Sequence, residues 1–163
     1  MSRVIYSLYI DIPEDDLDFF DKNIIKKDQT PTNINTKNKF SKHYQKIVDN
    51  KKRYSDSIGV DYYLHENDEN FKHYVKYFKT HFPFITMYNI VNFYKLELMN
   101  NHLHDYDEAL YLDFDAIPVT KDNFFETWDL SKGIAVYNNN DNIRPTHMPL
   151  DMVKGTIRSP SAK

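Results

Sequence analysis

An α/β fold with a mostly parallel central sheet flanked by helices is what this chain predicts, and three observations carry it. Short β-branched and aromatic runs alternate with longer stretches of helical period, the order that strand–helix–strand crossovers impose. The first of these runs, "RVIYSLYI", is apolar almost throughout, as a strand buried on both faces requires. The composition, with 13 Tyr and 11 Phe in 163 residues, excludes a disordered chain and suits one domain over residues 1–163.

Residues 3 to 10 form the first strand, stopped by a proline and acidic cluster. "DIPEDDLDFFDKNIIKK" then reads as a loop into a short helix, with Asp15 and Asp16 near its positive N-terminal end. Residues 28–38, "DQTPTNINTKN", have no apolar period and read as a flexible surface loop, or a lid over a bound ligand. Phe40, Tyr44, Ile47 and Val48 recur at helical spacing, so an amphipathic helix follows, its other face carrying Lys42, Lys46, Lys51, Lys52 and Arg53. Gly59 closes it. "VDYYLHEND" is the second strand, and Asp68 caps a helix through "ENFKHYVKYFKTHF". Pro83 begins another helix that runs to about His102, apolar on most of its circumference and hence expected to be buried. "HDYDE" is a turn and "ALYLDF" the third strand. Thr120 or Asp122 caps "NFFETWDL", and "GIAVY" after Gly133 is a fourth strand. Residues 138–163 form a poorly defined polar tail.

Charge and composition exclude several functions. With 21 basic and 24 acidic residues the formal charge is -3, which creates no field to attract a polyanion, so nucleic acid is not the expected partner. The basic helix face is read as solvated. Without cysteine there is neither a disulfide nor a thiolate metal site, and a reducing, cytoplasmic setting is expected. The opening segment is too short and too interrupted for a signal peptide or a membrane anchor.

One stretch carries chemistry. In "ALYLDFDAIPV" an apolar strand ends in Asp113 and Asp115, at the carboxyl edge of a parallel sheet, where ligands bind. Residues two apart in extended backbone project to one side, so both carboxylates face one point and Phe114 points into packing. Two like charges held together need a shared cation or proton. A hard divalent ion, Mg²⁺ or Mn²⁺, takes one or two carboxylates and completes its shell with water and phosphate oxygens. Asp105 and Asp107 have the same spacing but precede the strand, at the opposite edge. His102 and His104 sit in that turn and are expected to be solvated. Tyr88, Asn92 and Lys95, at i, i+4 and i+7, form a polar stripe on an otherwise apolar helix, which suggests a wet cleft.

The block "NIVNFYKLELMNNHLHDYDEALYLDFDAIPV", Asn89 to Val119, resembles the central part of nucleotide-sugar-dependent glycosyltransferases of the GT-A fold, a Rossmann-like architecture, and "VIYSLYI" fits the same fold more loosely. The resemblance implies that Asp113 and Asp115 hold Mn²⁺ or Mg²⁺ against the diphosphate of a sugar nucleotide, often a UDP-sugar. Asp115 would bind the metal directly, and Asp113 the ribose, or the metal through water. Lys95, Tyr88 and Asn92 would line the donor site, Tyr9 would stack and Asp11 would accept a hydrogen bond from the nucleotide. His147 would be a further metal ligand, although the usual His-x-x-Gly-x-x-Lys pattern is absent. The acceptor, a glycan, protein or lipid, is not indicated, and Asp141 and Asp151 are only positional candidates for a base. Such enzymes usually continue further than the about fifty residues that follow the motif here, so the resemblance implies a C-terminally shortened architecture. Two other readings stand beside it. A phosphohydrolase resembling the haloacid dehalogenases would use Asp113 as nucleophile and Asp115 as acid and base. A non-catalytic fragment would bind the sugar nucleotide without turnover.

Overall fold

The computed structural model describes residues 1–12, 17–19, 21–22 and 31–127. Two compact units divide the chain, Met1–Lys121 and Asp122–Lys163.

In the first unit β1 (Arg3–Leu8) is the central strand, α1 spans Pro31–Ile58, β2 Asp61–His65, α2 Glu69–His81, α3 Met87–Asp105 and β3 Glu108–Tyr111. The sheet is all parallel in the order β2-β1-β3, with Val4 opposite both Asp61 and Ala109. Side chains alternate across a strand, and β1 uses both faces. Tyr6 and Leu8 pack with Phe71 of α2 and Met87, Ile90, Tyr94 and Leu98 of α3. On the other face Ile47 and Val48 of α1 pack with Phe114, Tyr9, Tyr62 and Leu64. The central strand is thus buried on both sides, which is why its sequence shows no polar alternation.

Local chemistry sets the element ends. Gly59 adopts φ 68°, the left-handed conformation that lets Val60 N–H return to the Ser55 carbonyl at 3.0 Å and close α1. Asp68 accepts from Phe71 N–H at 2.9 Å, starting α2.

Three expectations are corrected. Residues 31–38 belong to α1 and are not loop, while 28–30 lie outside the described residues. Pro31 stands at the first helical position, where its missing N–H costs nothing. Once the amphipathic part has nucleated, a helix extends readily through polar residues. Pro83 does not begin α3. Ile85 N–H bonds to the Phe82 carbonyl at 2.9 Å, placing Pro83 in a turn. Thr86 is the cap, accepting from Asn89 N–H at 3.3 Å. The helix is also not buried all round. Its buried stripe is Met87, Ile90, Tyr94 and Leu98, whereas Tyr88, Phe93, Leu96 and Leu103 are exposed.

His102 is not solvated either. It lies within α3, half-buried, with its Nε2 2.9 Å from Nε2 of His65 at the end of β2. The two line a recess of about 490 Å³ between α2 and α3 with His73, Glu97 and Asp105. Burial holds both imidazoles below 6.5, and for His65 the neighbouring His102 adds to it. The fold therefore keeps them neutral, while the unfolded chain takes up protons at about pH 6.5. Stability is fully present above that value and is lost as pH falls below it. Denaturant melts at about pH 7.5 and pH 5 should show a larger loss in the wild type than in His102→Gln, which cannot titrate.

In the second unit the described residues hold one short helix, α4 (Phe124–Thr127). Asn123, directly before it, accepts from Phe125 N–H at 3.0 Å and so satisfies one of the free N–H groups of the first turn. "GIAVY" and the tail lie outside the described residues. Among the described residues no helix is long and apolar enough to cross a membrane.

Candidate functional site

The parallel sheet brings three strand ends to one edge: Tyr9 and Asp11 after β1, Glu66 after β2, and Leu112 to Ala116 after β3. The β1–β3 ladder closes with Leu112 N–H on the Tyr6 carbonyl at 2.9 Å, and the Ser7 hydroxyl donates to the Leu112 carbonyl at 2.8 Å. The strand then stops earlier than the sequence suggests. Ala116 N–H bonds to the Asp113 carbonyl at 2.9 Å, so Asp113 to Ala116 form a turn and the two-residue alternation of a strand does not apply. Phe114 is nevertheless buried, at 7% exposure, while Asp113 and Asp115 are exposed on either side of it.

Aromatic packing anchors that turn. The Phe114 ring lies 4.5 Å from Tyr9 and 5.5 Å from Tyr44, centroid to centroid, and Tyr9 lies 5.2 Å from Tyr44. The Tyr44 hydroxyl donates to Glu66 at 2.7 Å. Burial, then this carboxylate, push the Tyr44 phenol up to about 12. Tyr9 is therefore committed to the cluster beneath the turn, and Asp11 is exposed just beyond it.

Asp113 has two close donors. Lys95 Nζ lies 3.0 Å from its Oδ1 and the Tyr111 hydroxyl 2.7 Å from the same atom. Burial alone would raise the Asp113 carboxyl, but the bonds from Tyr111 and Lys95 and the charges of Lys95 and Lys51 hold it below 3.8. The Tyr111 phenol is pushed well up, by burial first and Asp113 second. Lys95 Nζ also stands 5.0 Å from the Tyr111 ring centroid. Asp115 is exposed and has no hydrogen bond or ion pair among the described residues.

Of the polar stripe on α3, Lys95 alone meets an aspartate. Tyr88 is 73% exposed and Asn92 is half-buried, and neither bonds to Asp113 or Asp115 among the described residues. His147, Asp141, Asp151, Asp15 and Asp16 lie outside the described residues.

The sequence reading misplaced Lys51. It does not lie on the solvated face of α1 but is 0% exposed, and its Nζ donates to the Asp113 carbonyl at 2.7 Å and to the Ala116 carbonyl. Burial pulls its pKa down to about 8 against the raising effect of Asp115 and Asp113. The signal was present in the periodicity. Tyr44, Ile47, Val48, Lys51, Tyr54 and Ser55 fall on one helical stripe, and Lys51 is its central position.

The arrangement offers two exposed carboxylates on a turn anchored by Phe114 and Lys51, one of them engaged on a single oxygen by a lysine and a tyrosine. Among the described residues no three His, Asp or Glu side chains form a metal-holding group, but Mg²⁺ needs only one or two carboxylates beside water and phosphate oxygens. Asp115 and the outer side of Asp113 fit that requirement. On α1 a cleft of about 360 Å³ abuts the following segment, lined by Phe40, His43, Ile47, Asn50, Ile117 and the cations Lys46 and Arg53. Searches against family models, curated proteins and solved structures find no match to this chain.

Proposed function

We propose that this chain binds a sugar nucleotide, most simply a UDP-sugar, through a divalent metal at Asp113 and Asp115, and transfers the sugar as a glycosyltransferase of the GT-A kind. One observation carries the reading: the carboxylate-bearing turn follows β3 at the carboxyl edge of a parallel sheet ordered β2-β1-β3. The chain crosses from one side of β1 to the other there, and in open α/β sheets ligands bind at such switch points. A bound Mn²⁺ or Mg²⁺ would supply positive charge to the departing diphosphate. The chain's own residues do the rest. Asp115 and Asp113 present oxygen ligands from a turn that packing immobilises. Lys95, already beside Asp113 at 3.0 Å, places an ammonium where a phosphate oxygen gathers charge. The phosphohydrolase reading would use the Asp113 oxygen that Lys95 and Tyr111 leave open as nucleophile, and an aryl-phosphate assay separates the two.

The test is a thermal-shift panel of UDP, GDP and the other nucleoside diphosphates with and without Mn²⁺, on wild type and on Asp113→Ala/Asp115→Ala. Ligand at a hundredfold above its dissociation constant adds about 2.7 kcal/mol, or roughly 5 to 10 °C. The expected result is a metal-dependent shift with one base that the double variant abolishes. No shift in a folded protein, or metal-dependent hydrolysis of an aryl phosphate instead, rejects the reading.

A further inference from the structure

We propose that Lys51 is a positioning residue for the carboxylate pair: from inside the core it clamps the two carbonyls that begin and end the turn, and so sets the directions of Asp113 and Asp115. This rests on the donor-site reading above. Removing an ammonium from water costs several kcal/mol, and an apolar side chain at such a position is often the more stable choice. Lys51 occupies the centre of the buried stripe of α1, between Val48 and Tyr54, where leucine or methionine would pack. Stability therefore gives a poor account of a lysine there, and its contacts give a better one.

Those contacts are specific. Lys51 Nζ takes the carbonyls of Asp113 and Ala116, the first and last residues of the turn, and among the described residues it pairs with no carboxylate. The Asp113 carbonyl thus receives two donors, Lys51 Nζ and Ala116 N–H. A peptide plane held in this way cannot rotate, and its orientation fixes where the neighbouring Cα–Cβ bonds point. Phe114 supplies the other anchor on the same α1 face. Clamp and ring together leave the turn one arrangement, with both carboxylates outward. The ammonium beneath them also offsets part of their mutual repulsion, so they can stand together before any cation arrives. Residues in this outer position orient metal ligands, and their loss typically costs roughly 10- to 100-fold in metal affinity.

The experiment titrates Mn²⁺ into the protein with the nucleoside diphosphate that gives the largest thermal shift, for wild type, Lys51→Met and Lys51→Gln. Methionine keeps the stem and removes the donors, and glutamine restores a neutral donor. Ile90→Val, remote from the turn in the α3 core, serves as a variant destabilised through packing. The expected result is Mn²⁺ affinity reduced roughly 10- to 100-fold in Lys51→Met, intermediate in Lys51→Gln and unchanged in Ile90→Val, all measured where circular dichroism shows folded protein. Wild-type affinity in folded Lys51→Met overturns the proposal and leaves the donor site standing. If Lys51→Met does not fold, Lys51→Gln decides, and wild-type affinity there overturns it equally. Absence of metal-dependent nucleotide binding in the wild type removes the donor site and the proposal with it.

Discussion

Asp21→Ala is expected to lower the stability of the fold by about 3 to 5 kcal/mol, the loss typical when one partner of a buried ion pair is removed. Asp21 is 3% exposed and uses both carboxylate oxygens. Oδ2 accepts from Lys79 Nζ at 2.8 Å, and Oδ1 accepts from Met87 N–H, the first residue of α3, at 2.5 Å. The carboxylate therefore satisfies a helix-start donor and sits at the positive end of that helix. Lys79 also binds Asp18 at 2.5 Å and the Ile85 carbonyl at 2.8 Å. One lysine thus ties the segment after β1 to the junction between α2 and α3. Burial pulls the Lys79 ammonium down, but the two aspartates outweigh it and raise its pKa above 10.5. Urea denaturation of Asp21→Ala and Lys79→Met should give similar losses, and a midpoint unchanged from wild type would show that the clip contributes nothing.

Phe114→Ala is the second large effect, about 3 to 5 kcal/mol for an aromatic ring deleted from a packed site. The ring sits among Tyr9, Tyr44, Ile47 and Val48, which cannot collapse fully into the space it leaves. Phe114→Leu retains much of the volume and should cost clearly less. The two variants separate packing from function because Phe114 stands between Asp113 and Asp115. In Phe114→Ala the metal-dependent nucleotide shift should vanish at temperatures where the protein is still folded, while Phe114→Leu keeps part of it. An undiminished shift in folded Phe114→Ala would mean that the aspartates do not depend on the ring beneath them.

The parts of the fold that were legible depend on local chemistry. The apolar run at Val4 to Leu8, the Asp68 cap and Gly59 each announce their structure within a few residues. The placement of Asp113 and Asp115 at a sheet edge was also legible, because a parallel sheet puts the residues after a strand there. What failed depends on partners distant in the chain. The clip joins Asp18 and Asp21 to Lys79, and the imidazole pair joins His65 to His102, so neither has a local signature. Residues 31–38 were misread because polar composition argues against burial, not against helical backbone. Lys51 was misread because charge was given more weight than its position on the buried stripe. The turn at Asp113 was misread because, beside its own Ala116 N–H, the donor that holds its carbonyls is Lys51 of α1, distant in the chain. The fourth strand and His147 fall outside the described residues.

The position of β1 in the sheet bears on how the chain comes off the ribosome. Its partners are β2, opposite Val4 at Asp61, and β3, where Arg3 meets Glu108, 105 residues downstream. At about 5 to 20 residues per second of synthesis, the strand made first waits roughly 5 to 20 s before its second neighbour exists. During that interval an apolar central strand has at least one open hydrogen-bonding edge, and contacts this remote in sequence close slowly even afterwards. A strand-binding chaperone should therefore raise the yield of native protein, and slower synthesis, which lengthens the wait, should lower it.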